Sequence, residues 1–117
     1  MSDAVSISTH VLDTSFGAPA TGVAVTLERV QDNDPAIAVA QGVTDADGRV
    51  TELAPIDSIL TPGAYRLCFR VADYFAATQR TSFYNDICVN FVVGVEPQHY
   101  HVPLLLSPFG YSTYRGS

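Results

Sequence analysis

The chain has 117 residues, which suits one domain built round a single core. Charged residues are only 15% against 47% apolar, the net charge is −6, and every lysine-or-arginine position is arginine. Such a balance excludes nucleic-acid binding through a basic face and predicts that subunit interfaces cover part of the surface.

The N-terminal MSDAVSIST has no basic stretch leading into an apolar one, and no run approaches a membrane span. A cytoplasmic protein with no membrane contact is therefore expected. Val5, Ile7, Thr9 and Val11 alternate with Ser6, Ser8, His10 and Leu12, a first strand. The segment FGAPATG reads as a loop. A second strand follows, with Val23, Val25, Leu27 and Arg29 alternating with Ala24, Thr26 and Glu28. After the turn-forming QDNDP, residues 36 to 43 form a third strand, and TDADG turns the chain into a short fourth over residues 49 to 53. PIDSILTPG connects to a fifth strand in which Tyr65, Leu67, Phe69 and Val71 alternate with Arg66, Cys68 and Arg70. DYFAATQR, residues 73 to 80, is the one helix, with Asp73 suited to its N-cap. Ile87, Val89, Phe91 and Val93 give one face of a sixth strand. Residues 98 to 106 make a seventh and residues 110 to 115 an eighth, at a sheet edge. Two packed antiparallel sheets with one short helix, an all-β sandwich formed by residues 1–117 as a single domain, follow from this order. Cys68 and Cys88 lack metal-type spacing and are expected as two reduced thiols, able to form a disulfide only if their strands are neighbours.

Four blocks of these strands resemble the transthyretin-like family, and within it the branch that hydrolyses 5-hydroxyisourate. They are STHVLDTSFGAPATGV from Ser8 to Val23, TDADGR from Thr44 to Arg49, YRLCF from Tyr65, and the terminal HYHVPLLLSPFGYSTYRGS from His99 to Ser117. The last is the specific part, and the resemblance runs over nearly the whole chain. One segment departs: Phe83-Tyr84-Asn85-Asp86 stands where the family commonly has a proline-containing FFP-type segment, which bears on a local loop and not on the site. The resemblance implies a transthyretin-like sandwich of two four-stranded antiparallel sheets, assembled as a homotetramer (a dimer of dimers) with reaction sites in the channel between dimers. It also implies opening of the six-membered ring of 5-hydroxyisourate to 2-oxo-4-hydroxy-4-carboxy-5-ureidoimidazoline in urate catabolism.

The candidate residues also have plainer readings. Alternation puts His10 on the outward face of its strand, an ordinary place for an exposed histidine; the resemblance makes that face a channel wall. His99 and His101 share one side of the seventh strand, and such a pair could begin a metal site. Only His10 remains as a third imidazole, and a water-activating pair needs no metal, so no metal and no cofactor are expected. The resemblance assigns the site role to His101, and His99 is read as a supporting residue behind it or a structural one. Arg49 follows an Asp-rich turn, where Asp45 or Asp47 could simply balance it; the family reading sets it beside both histidines, its planar cation suiting an anionic, carbonyl-rich ring. Tyr114, Arg115, Gly116 and Ser117 would ordinarily fray; the family reading returns them to the pocket as substrate-binding residues.

The expected chemistry is general-base hydrolysis. His10 and His101 flank a water, Arg49 stabilises the oxyanion, and Ser117 joins them as a catalytic group through its hydroxyl or terminal carboxylate. Both cysteines are read as structural. A transthyretin-type carrier of an aromatic ligand is the competing reading, but it calls for an apolar channel. A generic β-sandwich interaction module is a third, and it would be monomeric.

Overall fold

A computed structural model describes residues 5–53, 60–96 and 98–116. Strand β1 (Ser6–Asp13) turns Ile7, Thr9, Val11 and Asp13 fully into the interior and Ser6, Ser8, His10 and Leu12 outward, as the alternation requires. It is followed by β2 (Ala18–Pro19), β3 (Ala24–Arg29), β4 (Ile37–Val43), β5 (Arg49–Val50) and β6 (Gly63–Phe69). After helix α1 (Val71–Ala77) come β7 (Ile87–Val93), β8 (His99–Ser107) and β9 (Gly110–Thr113). One sheet has the order β4-β3-β6-β7, antiparallel throughout. The other has the order β2-β1-β8-β9, with β5 also paired to β1. Ile7, Val11, Leu104 and Leu106 of the second sheet meet Leu27, Leu67, Phe69 and Ile87 of the first in the core.

Three details differ from the sequence reading. The second sheet has five strands, because Ala18 and Pro19 pair with Asp13 and Leu12; two residues are too few to show a period. Strands β1 and β8 run parallel, from Ser6 opposite His99 to Asp13 opposite Leu106. Alternation reveals faces, not directions, and no hairpin ties two strands so distant in the chain. The helix starts at Val71, with Arg70 and not Asp73 in the N-cap position and no side-chain cap. Its start is set by Val71, Tyr74 and Phe75, whose helical spacing buries one apolar face; Asp73 lies in the first turn, where its charge suits the helix dipole. The connection expected over residues 55 to 63 falls largely outside the described residues.

Asp13 ends β1 on the inward side and is fully buried. Arg80, just past α1, reaches its carboxylate at 2.5 Å, and the Tyr74 hydroxyl donates to it at 2.7 Å. The Ser15 hydroxyl and backbone N–H also donate to it. Burial alone would raise the Asp13 pKa. The donors Arg80, Ser15 and Tyr74, with the charge of Arg80, outweigh burial and hold it at about 2. Burial, then the same carboxylate, push the Tyr74 phenol up to about 12. This knot pins the helix to the end of the strand that carries His10.

On the outer face of the other sheet, Cys68 stands directly opposite Cys88, both as free thiols, with sulfurs 2.6 Å apart. Burial, then the neighbouring Cys88, push the Cys68 thiol up to about 12, which makes it a poor nucleophile. All three histidines lie on the opposite sheet.

Candidate active site

The outward face of β1, β5 and β8 gathers the chemistry. His10 pairs with Arg49 across the β1–β5 ladder, so the two side chains emerge side by side. The turn before Arg49 is fixed by Asp45, whose side chain accepts from the backbone N–H groups of Asp47 and Arg49. Gly48 completes it at φ 76°, where an added Cβ would lie 2.4 Å from the Val11 carbonyl oxygen. Among the described residues the Arg49 side chain has no carboxylate partner, so neither Asp45 nor Asp47 balances it by an ion pair.

The parallel β1–β8 register sets Ser6 against His99 and Ser8 against His101. Ser8 is only 8% exposed although it points outward, because both imidazoles cover it. Its hydroxyl lies 2.7 Å from His99 Nε2 and 2.7 Å from His101 Nδ1. The Ser6 hydroxyl lies 2.6 Å from His99 Nδ1. The two rings stack, 6.5 Å apart and 18° from parallel. With Nδ1 of His101 taken up, Nε2 is the nitrogen left for chemistry. His10 Nε2–H donates to the Asp47 carbonyl at 2.9 Å, which leaves Nδ1 of His10 as its acceptor. Burial, then the charges of His99, Arg49 and His10, lower the His101 pKa.

Arg49, His101, Ser8, Thr9, Thr51 and His99 line a cavity of about 300 Å³. His10 stands beside it, next to Arg49. The tail divides. Gly116 returns to β8, where its N–H donates to the His101 carbonyl at 2.8 Å. Tyr114 and Arg115 line a different, mostly apolar cavity of about 320 Å³ with Phe91, Tyr100 and Val102. Arg115 donates to Gln98 and lies over the Tyr100 ring. Within one subunit these two residues therefore line this second cavity and not the one that holds His101: the β9 edge ends at Thr113, and the next two side chains stay exposed beyond it. Ser117 lies outside the described residues.

Gly116 packs flat on His101, and a Cβ there would come 2.4 Å from Cδ2 of the imidazole. Gly116→Ala must therefore displace the ring. A shift of about 1 Å at a reacting group can cost a hundredfold in rate. Kinetics of the variant should show a fall in kcat with an unchanged melting temperature; wild-type kcat would mean that the ring position does not matter.

The sequence reading missed Ser8 and Asp13. Both were signalled: Ser6-x-Ser8 shares a face with His10, and parity alone puts a carboxylate at position 13 into the core, where it needs partners.

An all-β sandwich with three imidazoles on one sheet face, beside a guanidinium that has no carboxylate partner among the described residues, defines a class with the means for hydrolytic chemistry. The HIUase/Transthyretin family profile matches residues 7–116, and the chain belongs to that family. It is 44% identical to the 5-hydroxyisourate hydrolase of Deinococcus radiodurans, with 100% of each chain covered. Among solved structures, the Klebsiella pneumoniae 5-hydroxyisourate hydrolase matches with a TM-score of 0.83 at 38% identity, covering 96% of this chain and 99% of that one. Sea bream transthyretin in complex with thyroxine matches with a TM-score of 0.86 at 32% identity, covering 94% and 93%.

Proposed function

We propose that this chain is an enzyme that opens the six-membered ring of 5-hydroxyisourate with water, and that His101, Arg49 and His10 carry the reaction. The observation that supports this site most is the placing of His101 and Arg49 in one cavity with His10 alongside. His101 Nε2 takes a proton from water as the water attacks the ring carbonyl. Arg49 binds the ring and stabilises the oxyanion that forms. His10, through Nδ1, accepts a hydrogen bond from the water and holds it in line. The protonated His101 then returns a proton to the departing ring nitrogen. No covalent intermediate is required. Ser117, next in sequence to Gly116, is proposed as a further catalytic group.

The sea bream match raises the carrier reading, but a channel for an aromatic hormone needs an apolar wall, and this face presents ionisable groups. The proposed assembly is a homotetramer, a dimer of dimers, with this face lining the groove between copies; native mass measurement tests it. A cytoplasmic location fits the two facing thiols. No described helix is long and apolar enough to cross a membrane.

The test of activity is spectroscopic. Freshly generated 5-hydroxyisourate should lose its ultraviolet absorbance much faster with the protein than without it, and equal rates would reject the reading. The pH profile adds a sign. The base works neutral, so kcat rises with pH as His101 loses its proton. Because its surroundings lower its pKa, the midpoint of that rise should lie below that of a free imidazole, near 6.5. A midpoint above the free-imidazole value would exclude His101 as the base.

A further inference from the structure

We propose that Ser8, His99 and Ser6 form a proton relay that serves His101, running from the cavity to the protein surface. The inference rests on the reading of His101 as the base. The geometry that carries it is an unbroken line of hydrogen bonds: His101 Nδ1 to Ser8 at 2.7 Å, Ser8 to His99 Nε2 at 2.7 Å, and His99 Nδ1 to Ser6 at 2.6 Å. Ser8 is covered, whereas in the single chain His99, at the rim of the cavity it helps to line, is exposed and Ser6 half-exposed, so the line leads from His101 to water.

Each hydroxyl has one proton to donate, and each neutral imidazole has one N–H and one bare nitrogen. The chain therefore has two polarities. In the first, His101 Nδ1–H donates to Ser8, Ser8 donates to His99 Nε2, and His99 Nδ1–H donates to Ser6. His101 Nε2 is then bare and is a base. In the second, every bond is reversed and Nε2 carries the proton, ready to act as an acid. The relay ties the tautomer of His101 to the polarity of the whole line, a coupling that a lone imidazole in water lacks.

The two polarities are linked by the reaction. When Nε2 takes the water proton, Nδ1–H passes to Ser8, the Ser8 proton to His99 Nε2, the His99 Nδ1 proton to Ser6, and the Ser6 proton to solvent. His101 is left neutral with Nε2–H. As Nε2–H goes to the leaving nitrogen, the same protons move back and one enters from solvent at Ser6. Protons balance, and no imidazolium has to persist beside the Arg49 guanidinium. The charged and titratable groups facing His101 are His99 on its own strand, His10 on β1 and Arg49 on β5.

Ser8 and His99 are thus positioning residues. The test compares Ser8→Ala, Ser8→Thr, His99→Gln and His101→Ala on 5-hydroxyisourate, measuring kcat, KM, the pH profile and the rate in mixtures of light and heavy water. Ser8→Ala should lose on the order of tenfold to a hundredfold in kcat with little change in KM, as expected for a base left in the wrong tautomer. Its rate should become linear in deuterium fraction, where the wild type curves because several protons move together. Ser8→Thr keeps the hydroxyl and should restore the curve. His99→Gln changes an exposed side chain, so the fold is safe, and it should straighten the curve as well. If Ser8→Ala and His99→Gln keep the wild-type curvature and pH profile while His101→Ala is inactive, the relay is wrong and the base assignment stands. If His101→Ala is itself fully active, the assignment of the base fails, and the relay with it.

Discussion

Replacing His101 with alanine should lower kcat for 5-hydroxyisourate by about two orders of magnitude, the usual worth of a positioned general base. The loss should appear in kcat more than in KM, because the imidazole acts on the attacking water and Arg49 keeps its hold on the ring. Folding should be little affected. His101 is half-buried on an outer sheet face, and its neighbours Val102 and Leu104, not the imidazole, face the core. Stopped-flow absorbance with circular dichroism on the same sample separates the two quantities. A variant with near-wild-type kcat would move the base elsewhere, with His10 the next candidate.

The second large effect concerns stability. Asp13→Ala removes the fully buried partner of an ion pair whose arginine is partly exposed, and leaves Arg80 without its carboxylate and the Tyr74 hydroxyl without its acceptor. Breaking such a pair costs about 3–5 kcal/mol, much of it from the charge left behind. Urea unfolding should show the stability extrapolated to water falling by that amount, through a lower midpoint at an unchanged slope. Acid has a related effect. The folded pKa of Asp13, about 2, lies below its ordinary 3.8. The unfolded chain thus binds the proton first as pH falls. The stabilisation is whole above pH 4 and is lost on going down through about 2, a loss of about 2 kcal/mol by linkage. Asp13→Asn should unfold with a flatter dependence in that window. If its acid limb matched that of the wild type, the carboxylate would not be the group responsible.

Much of this was legible from the residues because a sheet face is a parity statement. The alternation in residues 5 to 12 put His10 outward and Val11 inward, and both are found so. His99 and His101 share a face for the same reason. What parity could not supply was the partner strand and its direction. Ser8 meets His101 only because β1 and β8 run parallel in one particular register, and nothing local to either segment encodes that. The tail shows the same limit. Its composition pointed to a site, and Gly116 does lie on His101, but the turn of the backbone after Thr113 sends Tyr114 and Arg115 to another cavity. The helix start was misjudged for a different reason. Asp73 is a good cap by type, yet burial of Val71 outweighs the cap and extends the helix backward.

The most direct measurement is the single-turnover ring opening of 5-hydroxyisourate by the variant in which His10, Arg49 and His101 are all alanine, confirmed as folded. The account requires its rate to fall to the spontaneous decay measured in buffer alone. A folded triple variant that still accelerates the decay would show that the water is activated by other groups.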